Sequence, residues 1–381
     1  MKRIIITILV LFLFCTCVCA QPDDTYTLDE IYNQQYEASG AKELDSKLDE
    51  QTRQILLDLG IDIKTPNTDG ISVKSVFKSI FKLFTNSLKL PIRSAALVVC
   101  AIMICSTFRS IYSEKTGDIS KTADYVCTVC ICTAAVVPFS SVISRMVASI
   151  SVCSGFMLAL VPVYCSILIA LGRGVTASGI STLVFALAQT VARLAKTVIT
   201  PFCGMYLAFS VSASFSSDMG LKTITQSVKK AVFWILGTAM TVFTSVLVIT
   251  GAVNSASDSV SQRTAKFIIG NFIPVAGGAI SDALGSVSSC LGLLKSGVWS
   301  YGLCAVLFLM LPIIFETLLW RGSFSVMSAF AEIFNQQQCA SMLKGMGDGA
   351  GIILSILICI LVLLIVSLSM MFIGGKSIWA A

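Results

Sequence analysis

Long runs of apolar residues without charge recur along the chain and are separated by short polar joints. Each run is long enough for a helix to cross the hydrocarbon core of a bilayer, which takes about 20 residues. The pattern predicts an all-α fold, a polytopic transmembrane helix bundle of about eight spans, at residues 92–111, 125–144, 150–172, 174–192, 197–217, 231–253, 296–320 and 352–375. Because the joints between residues 125 and 217 are so short, those helices are expected to form tight hairpins.

The composition agrees with a membrane protein. Of the 381 residues, 55% are hydrophobic and 13% are charged, and the mean hydropathy is +0.86, whereas an average soluble domain carries about 25% charged residues. The charges are unevenly placed, since residues 21–70 hold 12 acidic and 4 basic side chains. We therefore interpret residues 21–70 as a small acidic extracytoplasmic segment, helical or partly disordered, and residues 91–381 as a multi-span membrane domain.

The first twenty residues, 1–20, have the layout of a secretory signal peptide. Lys2 and Arg3 precede an apolar run at residues 4–14, and a Val-Cys-Ala sequence ending at Ala20 forms a small-residue cleavage site. We predict cleavage after Ala20, which places the chain from residue 21 onward outside. An uncleaved membrane anchor is the alternative, because flanking residues would lengthen the apolar run.

Residues 71–90 carry apolar side chains on one helical face and lysines on another. Lys74, Lys78 and Lys82 are spaced four apart, which places them along one side of a helix. A basic amphipathic interfacial helix of this kind is typical of segments that lie on an anionic membrane. An anionic lipid surface is therefore its expected partner, and Pro91 is expected to separate it from the first span. The alternative is a basic helix docked on its own protein.

Residues 262–294 are too interrupted for a clean span and too apolar for a solvated loop. Glycines and a proline break the helical pattern, so we predict a broken or re-entrant element packed within the bundle. We interpret it as the functional centre, a gate or a subunit contact, with a kinked structural connector as the alternative. The candidate gate or contact residues are Arg263, Lys266, Gly270, Asn271, Pro274, Gly277 and Asp282.

Glu316 is the acidic residue that lies well inside a predicted span. A carboxylate in hydrocarbon is costly unless it faces protein, water or a cation, which makes it a functional candidate. It also lies near the end of its run, so an interfacial position fits equally well. Prolines in apolar runs, such as Pro162 and Pro312, are explained by ordinary helix kinks. The alternative is that they mark helices broken at a transport site.

The residue inventory excludes several kinds of chemistry. The chain has no histidine, which rules out a Ser-His-Asp triad, an HExxH zinc site and a histidine proton relay. It also lacks a P-loop sequence. The CxxC spacing of Cys127 and Cys130 lies in an apolar run and indicates helix packing, and the glycine string at residues 345–351 is expected to be a flexible loop. We predict no enzymatic activity, no catalytic residue, no metal, no cofactor and no nucleic-acid partner.

The core sequence RTAKFIIGNFIPVAGG at residues 263–278 closely resembles the signature region of the stage III sporulation protein AE family of endospore-forming bacteria. The order of features is similar too: a signal peptide, a short exported segment, an amphipathic lead-in, helix pairs with LALVP near Pro162 and a final apolar helix. The resemblance implies a membrane subunit of the secretion-like channel that links mother cell and forespore after engulfment and supports late forespore gene expression.

The same resemblance implies a multi-pass location in the mother-cell membrane around the forespore, with the other subunits of the channel complex as partners. It carries over no catalytic or site residue, and a homo-oligomer stays open. The competing hypothesis is an autonomous secondary transporter or permease, supported by proline-broken helices and Glu316 but weakened by the lack of an internal repeat. An intramembrane enzyme is disfavoured by the missing histidine and by the absence of a paired aspartate motif.

Overall fold

The computed structural model describes residues 28–61, 63, 73–112, 117–215, 219–272 and 277–374, and every regular element within these ranges is helical. The predicted all-α fold is confirmed. The predicted signal peptide lies outside the described residues. The α-helices are α1 Leu28–Ala38, α2 Glu50–Asp58, α3 Val73–Tyr112, α4 Gly117–Ala170, α5 Gly174–Leu194, α6 Thr200–Phe215, α7 Met219–Phe272, α8 Gly277–Ile333 and α9 Gln337–Gly374.

Six helices in the described part of the chain are long and apolar enough to cross a membrane, fewer than the eight spans predicted. They cover Lys74–Phe108, Tyr125–Ala170, Gly174–Ala213, Thr223–Thr250, Ser289–Ile333 and Gln337–Ile373. The number differs because two predicted pairs of spans are each continuous. Arg145, which falls in the joint between the predicted spans 125–144 and 150–172, lies inside α4, since no glycine or proline lies near enough to break the helix there. A π-helical turn at Ala195–Ile199 joins α5 to α6.

The tight hairpins predicted between residues 125 and 217 are therefore wrong except at one place, the turn between α4 and α5. Gly172 has a φ of 75°, a left-handed conformation that glycine adopts without a Cβ clash. The Arg173 N–H donates to the Leu168 carbonyl and the Gly172 N–H to the Ile169 carbonyl, both at 2.9 Å, which is the Schellman pattern that ends helices. A single charged residue supplies no such stop.

The lysine-bearing segment is the first part of a spanning helix and not a separate element. Pro91, which was expected to end it, lies inside α3. Pro138, Pro162 and Pro312 likewise lie inside α4 and α8. Proline is tolerated within membrane helices because neighbouring groups and local adjustment satisfy the backbone carbonyl that it leaves free. These prolines thus mark positions within helices and not their ends.

The centre of the bundle is an antiparallel hairpin of α8 and α9. Its open end is fixed by the ring of Trp299, whose centroid lies 4.6 Å from that of Phe372. Around it, α3 and α4 pack on α8, α5 packs on α4, and α6 and α7 pack on α9. The largest buried rings meet between α4 and α8, where Phe139 lies 5.6 Å from Trp320 and 5.0 Å from Phe324 in edge contacts.

The acidic N-terminal segment docks on the open end of this hairpin. Helices α1 and α2 pack on α8, and the 3-10 turn Ala41–Lys47 between them packs on α4. The Tyr301 hydroxyl donates a hydrogen bond to the Asp45 carboxylate, and Leu44 and Leu56 are fully buried. We call this end of the bundle the N-terminal end, and the end with the α8–α9 turn the turn end.

Candidate functional site

An ion pair inside the bundle links α4 to α8. The Arg145 Nε donates to Glu316 Oε2 at 3.1 Å, and Arg145 Nη2 donates to the other carboxylate oxygen. This bidentate geometry is the strongest hydrogen-bonded arrangement of a guanidinium and a carboxylate. The Glu316 side chain is only 14% exposed, whereas that of Arg145 is 42% exposed. Glu316, the predicted intramembrane acid, therefore has a cation as its partner.

The sequence contains a signal for this pair in the placement of two single charges along the chain. Arg145 is the lone charged residue between residues 125 and 172, and Glu316 is the lone charged residue between 296 and 320. Two apolar helices that each carry one charge of opposite sign are expected to place those charges together, because an unpaired charge in hydrocarbon is costly. Arg145 falls between the predicted spans 125–144 and 150–172, which placed it outside the membrane in the predicted arrangement.

Apolar side chains flank the ion pair on its buried side, next to Glu316. The ring of Phe315, next to Glu316, lies 5.6 Å from Phe84 of α3 in an edge contact. One turn away, Trp320 is fully buried against Phe139. Such surroundings lower the local dielectric constant and strengthen the attraction between the charges. The pair therefore joins α4 to α8 at a level where their other contacts are hydrophobic.

The glycine string at residues 345–351 lies in α9, so the predicted flexible loop is wrong. Two interleaved glycine pairs let neighbouring helices approach. A Cβ at Gly345 would overlap the Ser210 hydroxyl, and one at Gly349 would lie 3.2 Å from Leu207 and Tyr206, all in α6. Small residues spaced four apart are typical of close helix packing in membranes, which explains why this glycine-rich segment is helical.

The second glycine pair faces α8 and lies beside another charge, Arg321, which is five residues along α8 from Glu316. A Cβ at Gly347 would lie 3.4 Å from Phe324, and one at Gly351 would lie 3.2 Å from Arg321 Nη1. On the other side of α9, the Lys229 ammonium of α7 lies 3.2 Å from the Asp348 carboxylate. We call these five charged residues the charged layer: Arg145, Lys229, Glu316, Arg321 and Asp348. It connects α4, α7, α8 and α9.

The predicted gate or contact residues flank the junction of α7 and α8. Four of them, Arg263, Lys266, Gly270 and Asn271, lie in the last turns of α7, and Gly277 and Asp282 lie in the first turns of α8. Pro274 lies outside the described residues. The backbone is helical on both sides of residues 273–276, which lie outside the described residues.

The structure does not bring this motif and the charged layer together. Gly277 and Glu316 lie on the same helix, and at 1.5 Å per residue they are about 58 Å apart along its axis. Lys295 Nζ lies 4.7 Å from the Phe372 ring centroid, close to the end of α9, so residues 277–294 of α8 continue beyond that contact. The motif thus lies on the N-terminal side of the bundle, and Gly277 is about 36 Å along α8 from Tyr301, the residue that contacts Asp45.

The three predicted membrane-surface lysines are exposed along the first part of α3: Lys74, Lys78 and Lys82. The same segment contacts the bundle, because Leu83 is buried and Phe84 packs on Phe315. Phe77 and Phe81 are 69% and 59% exposed. One face of the segment therefore packs on α8, as in the docked alternative, while the lysines and two aromatic rings remain available to a membrane surface.

Comparison with known proteins identifies a family whose sequence profile matches most of the chain. The sequence profile of the family described as stage III sporulation protein AE matches residues 61–375, which covers all six candidate spans. The stage III sporulation protein AE of Bacillus subtilis (strain 168) is 23% identical over 278 residues, which cover 73% of this chain and 66% of that protein. The match thus spans slightly less than two thirds of that relative's length. No solved structure matches the chain.

Proposed function

Because the chain belongs to the stage III sporulation protein AE family, we propose that it is a membrane subunit of the secretion-like channel between mother cell and forespore. In this proposal it lies in the mother-cell membrane around the forespore and supports late forespore gene expression. The family membership itself indicates a role in sporulation, and the six apolar helices indicate a location in a membrane. The observation on which the proposal depends is the family match over residues 61–375, which include all six candidate spans.

We assign the subunit contact to the N-terminal end of the bundle. The acidic segment docks there through Asp45 and Tyr301, and the parts of α7 and α8 that carry the motif extend beyond it on the same side, with Gly277 about 36 Å along α8 from Tyr301. If the signal peptide delivers residue 21 to the outside, this end faces the space between the two membranes. The motif is then accessible to the extracytoplasmic parts of other channel subunits and not to cytoplasmic proteins.

The charged layer has a different role in this proposal, which is to hold the helices of the subunit in one arrangement. The half-buried pair of Arg145 with Glu316 holds α8 to α4, and the more exposed pair of Lys229 with Asp348 links α9 to α7 more weakly. The pairing also removes an argument for the transporter hypothesis. A carboxylate that already has a guanidinium partner is not a vacant site for a coupling cation.

Co-purification from sporulating cells tests the proposal. The tagged full-length chain, extracted in mild detergent after engulfment, is expected to recover the other proteins of the channel, and a strain that lacks it is expected to arrest after engulfment. An unrelated tagged polytopic protein expressed at the same stage serves as the control. Recovery of a monodisperse protein that binds no channel component and transports a solute on its own would overturn the proposal in favour of a carrier.

A further inference from the structure

Helix α3 carries a stripe of cations along one face. The basic residues in its first half are spaced 4, 4, 7 and 4 residues apart, which places them on the same side of a helix. All of them are exposed, and we call them the α3 stripe: Lys74, Lys78, Lys82, Lys89 and Arg93. Within the described part of the chain, no carboxylate lies within 4 Å of any member. The stripe therefore carries a charge of +5 that nothing nearby in the described chain neutralises.

The stripe runs along the spans and not across them. The Ser87 hydroxyl of α3 lies 3.5 Å from the Pro312 carbonyl of α8, and Gln336, just after α8, donates to the Ile102 carbonyl at 3.2 Å. Helices α3 and α8 therefore both run toward the turn end. The stripe is about 28 Å long at 1.5 Å per residue. A layer of lipid headgroups lies perpendicular to the spans and meets only part of such a stripe, whereas a protein surface can follow it.

The acidic N-terminal segment lies at the height of the first part of the stripe. Lys74 and Trp299 each precede their helix's member of the contact between α3 and α8 by 13 residues, so Lys74 lies near the level of Trp299. Tyr301, two residues further along α8, binds Asp45 of the acidic segment. Residues 28–61 hold eight acidic and three basic side chains. The net charge of the segment is therefore equal and opposite to that of the stripe.

The two surfaces are separate within one copy. The acidic segment packs on α8 and α4, and among the described residues no cation lies within 4 Å of its exposed carboxylates, which belong to Glu37, Glu43, Asp49, Glu50 and Asp58. Complementary surfaces on different faces of one chain suit a head-to-tail contact between copies. Copies in one membrane share an orientation. Because the two surfaces lie at the same height, rotation about the membrane normal brings them together without a shift along the spans.

We propose that the acidic segment of one copy binds the first three lysines of the α3 stripe in a neighbouring copy, so that copies associate head to tail. Helices α1 and α2 have 11 and 9 residues and are about 16 Å and 14 Å long, and the three lysines span about 12 Å. Phe77 and Phe81 beside the lysines and Leu57 of α2 are exposed, which adds apolar area on both sides of the contact. The contact does not depend on the role in sporulation, and failure of either leaves the other untouched.

Zero-length crosslinking of the purified protein in mild detergent tests the contact. A carbodiimide joins a carboxylate to an amine that it touches, through an amide bond. Isotope-labelled and unlabelled protein are mixed at high salt and returned to low salt, so that crosslinked peptides with one labelled and one unlabelled half identify contacts between copies. We expect such mixed peptides to join residues 28–61 to the first three lysines of the stripe. Their yield is expected to fall between about 0.1 M and about 1 M salt, because the screening length falls from about 10 Å to about 3 Å.

Charge reversal in two variants gives the sharper test. Lys74→Glu with Lys78→Glu is expected to reduce the oligomers seen by native mass spectrometry about tenfold or more, because like charges placed face to face oppose association. Glu43→Lys with Glu50→Lys is expected to do the same. Mixing the two variants places opposite charges at every contact between them and is expected to restore association. Misfolded variants would not be rescued in this way.

The matched control is Lys89→Glu with Arg93→Glu, which reverses two charges further along the same stripe and is expected to leave association unchanged. The proposal is wrong if the unmodified protein is monomeric at low salt, if every crosslink to the stripe joins residues of a single copy, or if the mixed variants do not associate. A loss of association in the control alone would overturn the assigned position. If reversal at Lys74 and Lys78 weakens binding to phosphatidylglycerol vesicles and leaves association unchanged, the stripe contacts lipid and the proposal fails.

Discussion

Removing one partner of the Arg145–Glu316 pair is expected to destabilise the bundle unequally, depending on which partner is lost. Each charge-assisted hydrogen bond contributes about 1.5–3 kcal/mol, and two of them join these side chains. The pair is partly exposed on the arginine side, so solvent screening reduces that sum. With this screening taken into account, we expect Arg145→Gln to lower the free energy of unfolding by about 2–3 kcal/mol. We expect Glu316→Gln to lower it by about 1–2 kcal/mol.

The inequality follows from the exposure of the two side chains. Arg145 is 42% exposed and has a long, flexible stem, so its guanidinium can reach polar surroundings when Glu316 is absent. Glu316 is only 14% exposed, and without Arg145 its short side chain leaves a carboxylate among apolar groups. The arginine substitution therefore leaves the more costly unpaired charge, the carboxylate of Glu316.

The measurement is equilibrium unfolding of the purified protein in mixed micelles, followed by tryptophan fluorescence, because Trp320 is fully buried near the pair. The two single variants and the double variant form a thermodynamic cycle, and we expect a coupling energy of about 1 kcal/mol or more. The control is Glu332 with Lys344, whose side chains are 45% and 62% exposed. Its coupling is expected below about 0.5 kcal/mol. Equal costs for the two single variants, or a coupling no larger than that of the control, would refute this reasoning.

Three further predictions concern other contacts. Gly349→Val is expected to destabilise the bundle by about 1–3 kcal/mol, because its side chain would press on Leu207 and Tyr206; the same unfolding assay should show a smaller effect for Gly237→Val, where a Cβ meets nothing within 4 Å. Tyr301→Phe removes the hydrogen bond to Asp45 and is expected to cost about 1 kcal/mol and to speed proteolysis of residues 28–61; unchanged proteolysis would show that apolar packing alone holds the segment. Substitutions of Asn271, Pro274 and Gly277, made one at a time, are expected to leave the membrane abundance of the protein normal and to block sporulation after engulfment. If every loss of function is accompanied by a loss of protein, the motif is merely structural.

The sequence predicted the kind of fold because apolar runs of this length and low charge have few other solutions. It predicted too many helix ends, because Arg145 and Pro91 were read as boundaries although neither stops a helix in a membrane. The true boundary at Gly172 depends on a backbone conformation that several other glycines in the chain do not adopt. Local sequence does not distinguish these cases.

The candidate site was only half visible in the sequence. Glu316 was identified by its charge, but its partner lies 171 residues away along the chain, and such a contact depends on how α4 and α8 pack. The glycines of α9 were read as a loop because glycine disfavours isolated helices. Their contacts with α6 and α8 reverse that preference, since close approach of neighbouring helices needs small residues.

The length of the helices raises a question of hydrophobic mismatch. The apolar stretch Tyr125–Ala170 of α4 has 46 residues and is about 69 Å long, whereas the hydrocarbon core is about 30 Å thick. Fitting it within that core would need a tilt of about 64°, beyond the roughly 40° upper limit seen for membrane helices. Part of the lateral surface must therefore lie outside a bilayer of ordinary thickness, where neighbouring chains cover it in the cell and detergent covers it in the purified protein. In the cell, insertion and assembly then become a single coupled process, and the subunit made there without its neighbours is expected to aggregate or be degraded.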